Sequence, residues 1–150
     1  MTHDPNSTPN AAFPNLTPHN HRVIGPATMQ YNCIAWACGE SHRWWQPGPH
    51  LYWPVPCGPN DFTVANLLAA LGSVGFTACP DSHPEPGFEK IAVFATGPDD
   101  YTHAARQTDS GLWTSKLGRG ELIEHDTPEA VAGGVYGSIS QFMKRPVPTG

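Results

Sequence analysis

The sequence predicts an α+β domain, helices first and antiparallel sheet second, and three observations carry that prediction. In the first half, an apolar run behind Asn32 and a longer one behind Asp61 have the caps and spacing of helices. The second half divides into short apolar stretches joined by tight turns, the pattern of antiparallel neighbours. The 17 prolines and 15 glycines among 150 residues require short elements with long connections between them.

Residues 1–22 hold little that is apolar beyond Phe13 and Leu16 and read as an irregular arm, leaving one domain over residues 23–150. Asn32 is a preferred N-cap, and Cys33-Ile34-Ala35-Trp36-Ala37-Cys38 reads as one or two buried helical turns ended by Gly39. Residues 43–56 carry Trp44, Trp45 and Trp53 and are broken by Pro47, Pro49, Pro54 and Pro56, so they read as a loop that covers a core or walls a cleft. Behind Asp61, the residues Val64, Leu67, Leu68 and Leu71 recur at helical spacing. Residues 89–96 read as a buried strand, followed by extended pieces at 101–107, 112–117 and 121–125. Thr127-Pro128-Glu129 opens a brief helix, and residues 135–144 return as a last strand.

The net charge is -5 and the eight Lys and Arg residues form no run, so no phosphate-tracking surface and no nucleic-acid partner are expected. No apolar stretch is long enough for a membrane helix. Met1-Thr2-His3-Asp4-Pro5 lacks the basic start and apolar core of a signal peptide, so a cytoplasmic location is expected, with non-classical export left open. Cys33, Cys38, Cys57 and Cys79 match neither zinc-site spacing nor a disulfide framework and read as free thiols. His19 and His21 have no second ligand cluster beside them, so neither a metal nor another cofactor is expected.

Two residues carry chemistry. Cys33 falls at the first helical position, where helix-end amides lower a thiol's pKa, while Cys38 reads as packing. His103 lies in the strand Tyr101-Thr102-His103-Ala104-Ala105-Arg106-Gln107, and a thiol beside an imidazole is the arrangement of nucleophilic acyl chemistry. Period-two alternation puts His103 and Ser115 on facing positions of adjacent strands, so Ser115 is the candidate orienter of the imidazole. Glu124 and His125 are a rival orienter and base. Lys116, opposite in direction to Ser115, reads as solvated or salt-bridged. Gln30 and the Cys33 amide are the oxyanion candidates, and Asn32, Trp44, Trp45 and Trp53 the walls of a substrate cleft.

The segments Tyr31 to Ala37, Thr102-His103-Ala104-Ala105, Trp113-Thr114-Ser115-Lys116-Leu117-Gly118, Ile123-Glu124-His125 and Tyr136-Gly137 resemble, as a set, a group of uncharacterised bacterial domains. More widely, the chain is similar to compact papain-like cysteine hydrolases of the NlpC type. That resemblance implies a papain-like fold, N-terminal helices packed on a C-terminal antiparallel sheet, with Cys33 as nucleophile, His103 as general base and Ser115 as orienter. It implies a peptidase, amidase, protein glutamine deamidase or acyl transferase acting on a peptide, protein or small amide or ester. The alternative is a non-catalytic module that keeps the frame and binds through Trp44, Trp45, Tyr52 and Trp53.

Overall fold

Asn32 and Thr63 cap the two helices, each accepting a backbone N–H three residues on, from Ala35 at 3.2 Å and from Asn66 at 3.1 Å. Asp61, which the sequence offers as the second cap, instead accepts from the Thr63 amide and hydroxyl at 3.2 and 2.7 Å and so holds the capping residue in place. The computed structural model describes residues 12–147. In chain order it contains β1 (His21–Gly25), α1 (Cys33–Ala37), α2 (Val64–Ser73), β2 (Thr77–Cys79), β3 (Phe88–Gly97), β4 (Asp100–Gln107), β5 (Trp113–Lys116), β6 (Leu122–His125) and β7 (Ser138–Pro146). A single 3-10 turn, Pro128–Val131, joins β6 to β7.

The seven strands form one sheet in the order β1-β6-β5-β4-β3-β7-β2, and every pairing is antiparallel. This overturns the expected fold class. The protein is predominantly an antiparallel sheet carrying two short helices, not a papain-like layer of N-terminal helices on a C-terminal sheet. The physical reason lies in two places. The proline-broken chain between α1 and α2 cannot extend either helix, and the sheet recruits two strands from outside the segments expected to form it: β1 adds to β6 and β2 to β7. Both added strands are short and lack clean alternation, which is why the sequence pattern passes over them. Of the arm expected over residues 1–22, residues 1–11 lie outside the described residues, while Leu16 is buried and His21 already belongs to β1.

Alternation along the central strands divides the interior into two cores. On one face Ile91, Val93, Ala104 and Met143 pack with Cys33, Ile34, Leu67 and Leu71 from the helices. On the other, Ala92, Phe94, Ala105, Trp113 and Ile123 pack with Leu16, Ala130 and Val131. The register pairs Val93 with Ala104 and Phe94 with His103, so His103 projects into the second core and its chain neighbour Ala104 into the first.

Candidate functional site

β4 is the central strand of the sheet, and its ladder with β5 covers only the pairs Arg106 with Thr114 and Gln107 with Trp113. Beyond that ladder the side chains of His103 and Ser115 meet, with Nε2 of His103 at 2.9 Å from Ser115 Oγ. Ser115 Oγ lies 2.8 Å from Nε2 of His125, whose Nδ1 is 2.7 Å from the carbonyl oxygen of Thr127. His103, Ser115 and His125 are all buried.

Proton positions along this line follow from its far end. A carbonyl only accepts, so His125 Nδ1 donates to Thr127, and the neutral ring presents a bare Nε2. The Ser115 hydroxyl therefore donates to His125 and accepts from Nε2–H of His103. His103 is left with a lone pair on Nδ1, the buried side-chain nitrogen or oxygen that has no hydrogen-bond partner among the described residues. Burial keeps both rings neutral: it pushes His125 down to about 4 and His103 well below the ordinary imidazole value, with the neighbouring His125 adding to the effect on His103.

The ring of Tyr136 stacks on His103, centroids 4.0 Å apart and planes 3° apart. The backbone that delivers Tyr136 needs glycine next to it. Gly137 has φ +70, and a Cβ there would collide with the carbonyl of Ala95 on β3. Thr102 adds a 2.6 Å hydrogen bond from its hydroxyl to the Tyr136 carbonyl. The Tyr-Gly pair thus presses an aromatic face against the imidazole.

Cys33 opens α1 in the first core and is 8% exposed, and the amides of Ala104, Ile34 and Cys33 itself favour its thiolate. The Ala104 amide belongs to the residue after His103, so the thiol sits against the backbone that carries the imidazole. No hydrogen bond joins Cys33 to His103, since Nδ1 is unpartnered and Nε2 is engaged with Ser115. The expectation of a helix-lowered thiol pKa is corrected: burial outweighs the amides and the Lys116 charge and pushes Cys33 up to about 11. A five-residue helix has little dipole to set against desolvation.

Several other expected site residues are occupied elsewhere. Gln30 is exposed and its side-chain amide donates to the Ser41 carbonyl at 3.2 Å, away from an oxyanion role. Asn32 is buried; besides capping α1 it donates to the Trp45 carbonyl at 2.7 Å and accepts from the Trp45 amide at 3.1 Å, which makes it a clamp and not a cleft wall. Trp45 is 1% exposed and belongs to the first core, with its indole N–H on Glu40. Trp53 stacks on Tyr101 and donates to Asn66, and Trp44 donates to Gln46. Trp45 belongs to the first core and Trp53 packs against it. Glu124 pairs with Arg22 at 2.8 Å. His125, weighed as a rival base, stands at the end of the hydrogen-bonded line, and Lys116 is fully buried, neither solvated nor paired with a carboxylate among the described residues.

The Thr127 carbonyl and the Tyr136 ring are the site groups that sequence reasoning missed. A backbone carbonyl leaves no trace in residue identity, and Tyr136-Gly137 carried a motif without a chemical reason until the packing supplied one. None of the described helices is long and apolar enough to cross a membrane. A family model described as "Domain of unknown function (DUF7689)" matches residues 22–144, and the chain belongs to that family. No curated protein and no solved structure matches the chain.

Proposed function

We propose that the protein performs thiol-dependent acyl chemistry, as an amide or ester hydrolase or an acyl transferase, with Cys33 as nucleophile and His103 as its base. The observation that supports this most is the unpartnered Nδ1 of His103: a buried lone pair without a donor is costly, and this one belongs to the residue before Ala104, which shares a core with Cys33. The line through Ser115 and His125 to Thr127 commits Nε2 to carrying the proton, so Nδ1 is the nitrogen free to take one.

Because the resting thiol is protonated, proton removal accompanies attack. As the sulfur–carbon bond forms, the S–H proton passes to Nδ1 of His103 and the carbonyl π electrons move to the oxygen. Collapse of that intermediate breaks the bond to the leaving nitrogen or oxygen, which takes the proton back from Nδ1. Water or another acceptor then attacks the thioester, giving a proton to Nδ1, and the sulfur regains it on release. At rest the thiol and the imidazole pack on opposite faces of the sheet, so the reaction requires that the Cys33 sulfur and Nδ1 of His103 come within hydrogen-bond reach when substrate binds. Substrates of this chemistry are peptides, proteins or small amides and esters.

Acylation by p-nitrophenyl acetate, followed by intact-mass measurement and peptide mapping, tests the reading. Acetylation of the Cys33 peptide is expected beside that of the exposed Cys57, with none at that peptide in Cys33→Ala and a Cys33 rate lower by about a hundredfold in a folded His103→Gln variant. Acylation of Cys33 at an unchanged rate in His103→Gln would overturn it.

A further inference from the structure

Lys116 is 0% exposed, and a buried ammonium without a compensating partner is among the most expensive groups a fold can carry. Lys90, the other lysine so deeply buried at 2%, shows the usual solution: Asp81 lies 2.9 Å from its Nζ and Glu85 3.7 Å. Lys116 has no carboxylate within ion-pair distance among the described residues. Its Nζ donates to the carbonyls of Thr28 and Gly118, both at 2.7 Å, and stands 5.0 Å from the centroid of the Tyr31 ring. These neutral contacts hold the cation in place and cancel none of its charge.

The same contacts place the cation beside the approach to α1. Thr28 and Tyr31 belong to the segment that enters α1, and Tyr31 packs in the core cluster that contains Cys33. Alternation along β5 sends Ser115 to the face of His103 and Lys116 to the face of Cys33, so two consecutive residues serve the imidazole and the thiol from opposite sides of the sheet. We propose that Lys116 is the counter-ion of the Cys33 site: a positioning residue that tethers the approach to α1 and stabilises negative charge developing on the Cys33 sulfur. The inference deepens the thiol reading above and rests on it for its catalytic meaning. The two groups also act on each other electrostatically, the cation favouring the thiolate and the thiolate favouring the cation, against burial that opposes both charges. The other titratable groups near the sulfur are Tyr101 and Tyr136, held protonated by burial, and neutral His103 on the next residue of β4.

The test separates charge from tether. Lys116→Gln keeps a hydrogen-bond donor for the carbonyls and loses the charge; Lys116→Met loses both. In folded full-length chains, alkylation of Cys33 at fixed pH is expected to slow about tenfold in both variants, the change that one pH unit in thiol pKa produces, while the exposed Cys57 reacts as before. A wild-type rate at Cys33 in Lys116→Gln would overturn the proposal. If these variants fail to fold, Lys116→Arg supplies a second measurement: it keeps the positive charge, so alkylation of Cys33 at close to the wild-type rate is expected, and a rate about tenfold slower in the folded Arg variant would equally overturn the proposal. Coupling between the two residues in a protein that p-nitrophenyl acetate never acylates at Cys33 would support the ion pair and remove the hydrolase reading alone.

Discussion

Tyr136 lies flat against His103, 4.0 Å between ring centroids and 3° between planes, with Phe94 at 5.3 Å on the same imidazole. Burial of this kind favours the neutral imidazole. Its neutral state and tautomer are therefore properties of the packed sheet, and the hydrogen bond to Ser115 decides which nitrogen carries the proton.

Ser115→Ala should be costly for a single hydroxyl. It leaves two buried groups, Nε2–H of His103 and Nε2 of His125, without partners, and each such group costs about 1–3 kcal/mol. Urea denaturation is expected to register a loss of about 2–4 kcal/mol. A loss below about 0.5 kcal/mol, the size of an ordinary surface change, would mean that the line is not maintained in solution.

Stability should fall in mild acid. His125 takes its proton near about 4 in the folded protein and near 6.5 when unfolded, so between those values the unfolded chain holds more protons and stability rises with pH. The contribution is complete above the unfolded value and is lost as pH falls through the window; His103, lowered well below its ordinary value, acts in the same direction. Urea midpoints are expected to be lower at about pH 5 than at about pH 7.5, with a smaller difference in His125→Gln. Equal wild-type midpoints at the two pH values would contradict the buried neutral pair.

Limiting iodoacetamide should label Cys57 first. Cys57 is exposed, whereas Cys33, Cys38 and Cys79 are buried, and burial pushes Cys33 up to about 11 and Cys38 up to about 12. Peptide mapping across a pH series should show Cys33 modification rising steadily with pH. Early labelling of Cys33 at neutral pH would require an exposed thiolate that this packing does not provide.

Local signals were sufficient wherever one residue type in one pattern has one outcome. Asn32 before an apolar run capped α1, and alternation in two strands joined by a short turn was enough to bring Ser115 to His103. The proline-broken tryptophan segment was legible as a loop, but Trp45, expected on a cleft wall, is buried in the first core. The edge strands were not legible, because β1 and β2 gain their conformation from ladders with β6 and β7, partners far away in the chain.

The ionisation of the site was likewise beyond local reading. From sequence, Cys33 at a helix start was expected to be an acidified thiol, and Lys116 a solvated or salt-bridged lysine. Desolvation is a property of the surrounding volume, which two cores closing on opposite faces of one sheet create, and it reverses the first expectation and removes the second. The sequence by itself determined which chemical groups are present and which strand faces they share. Tertiary structure decided their charge states and their partners, because both depend on how completely water is excluded from around them.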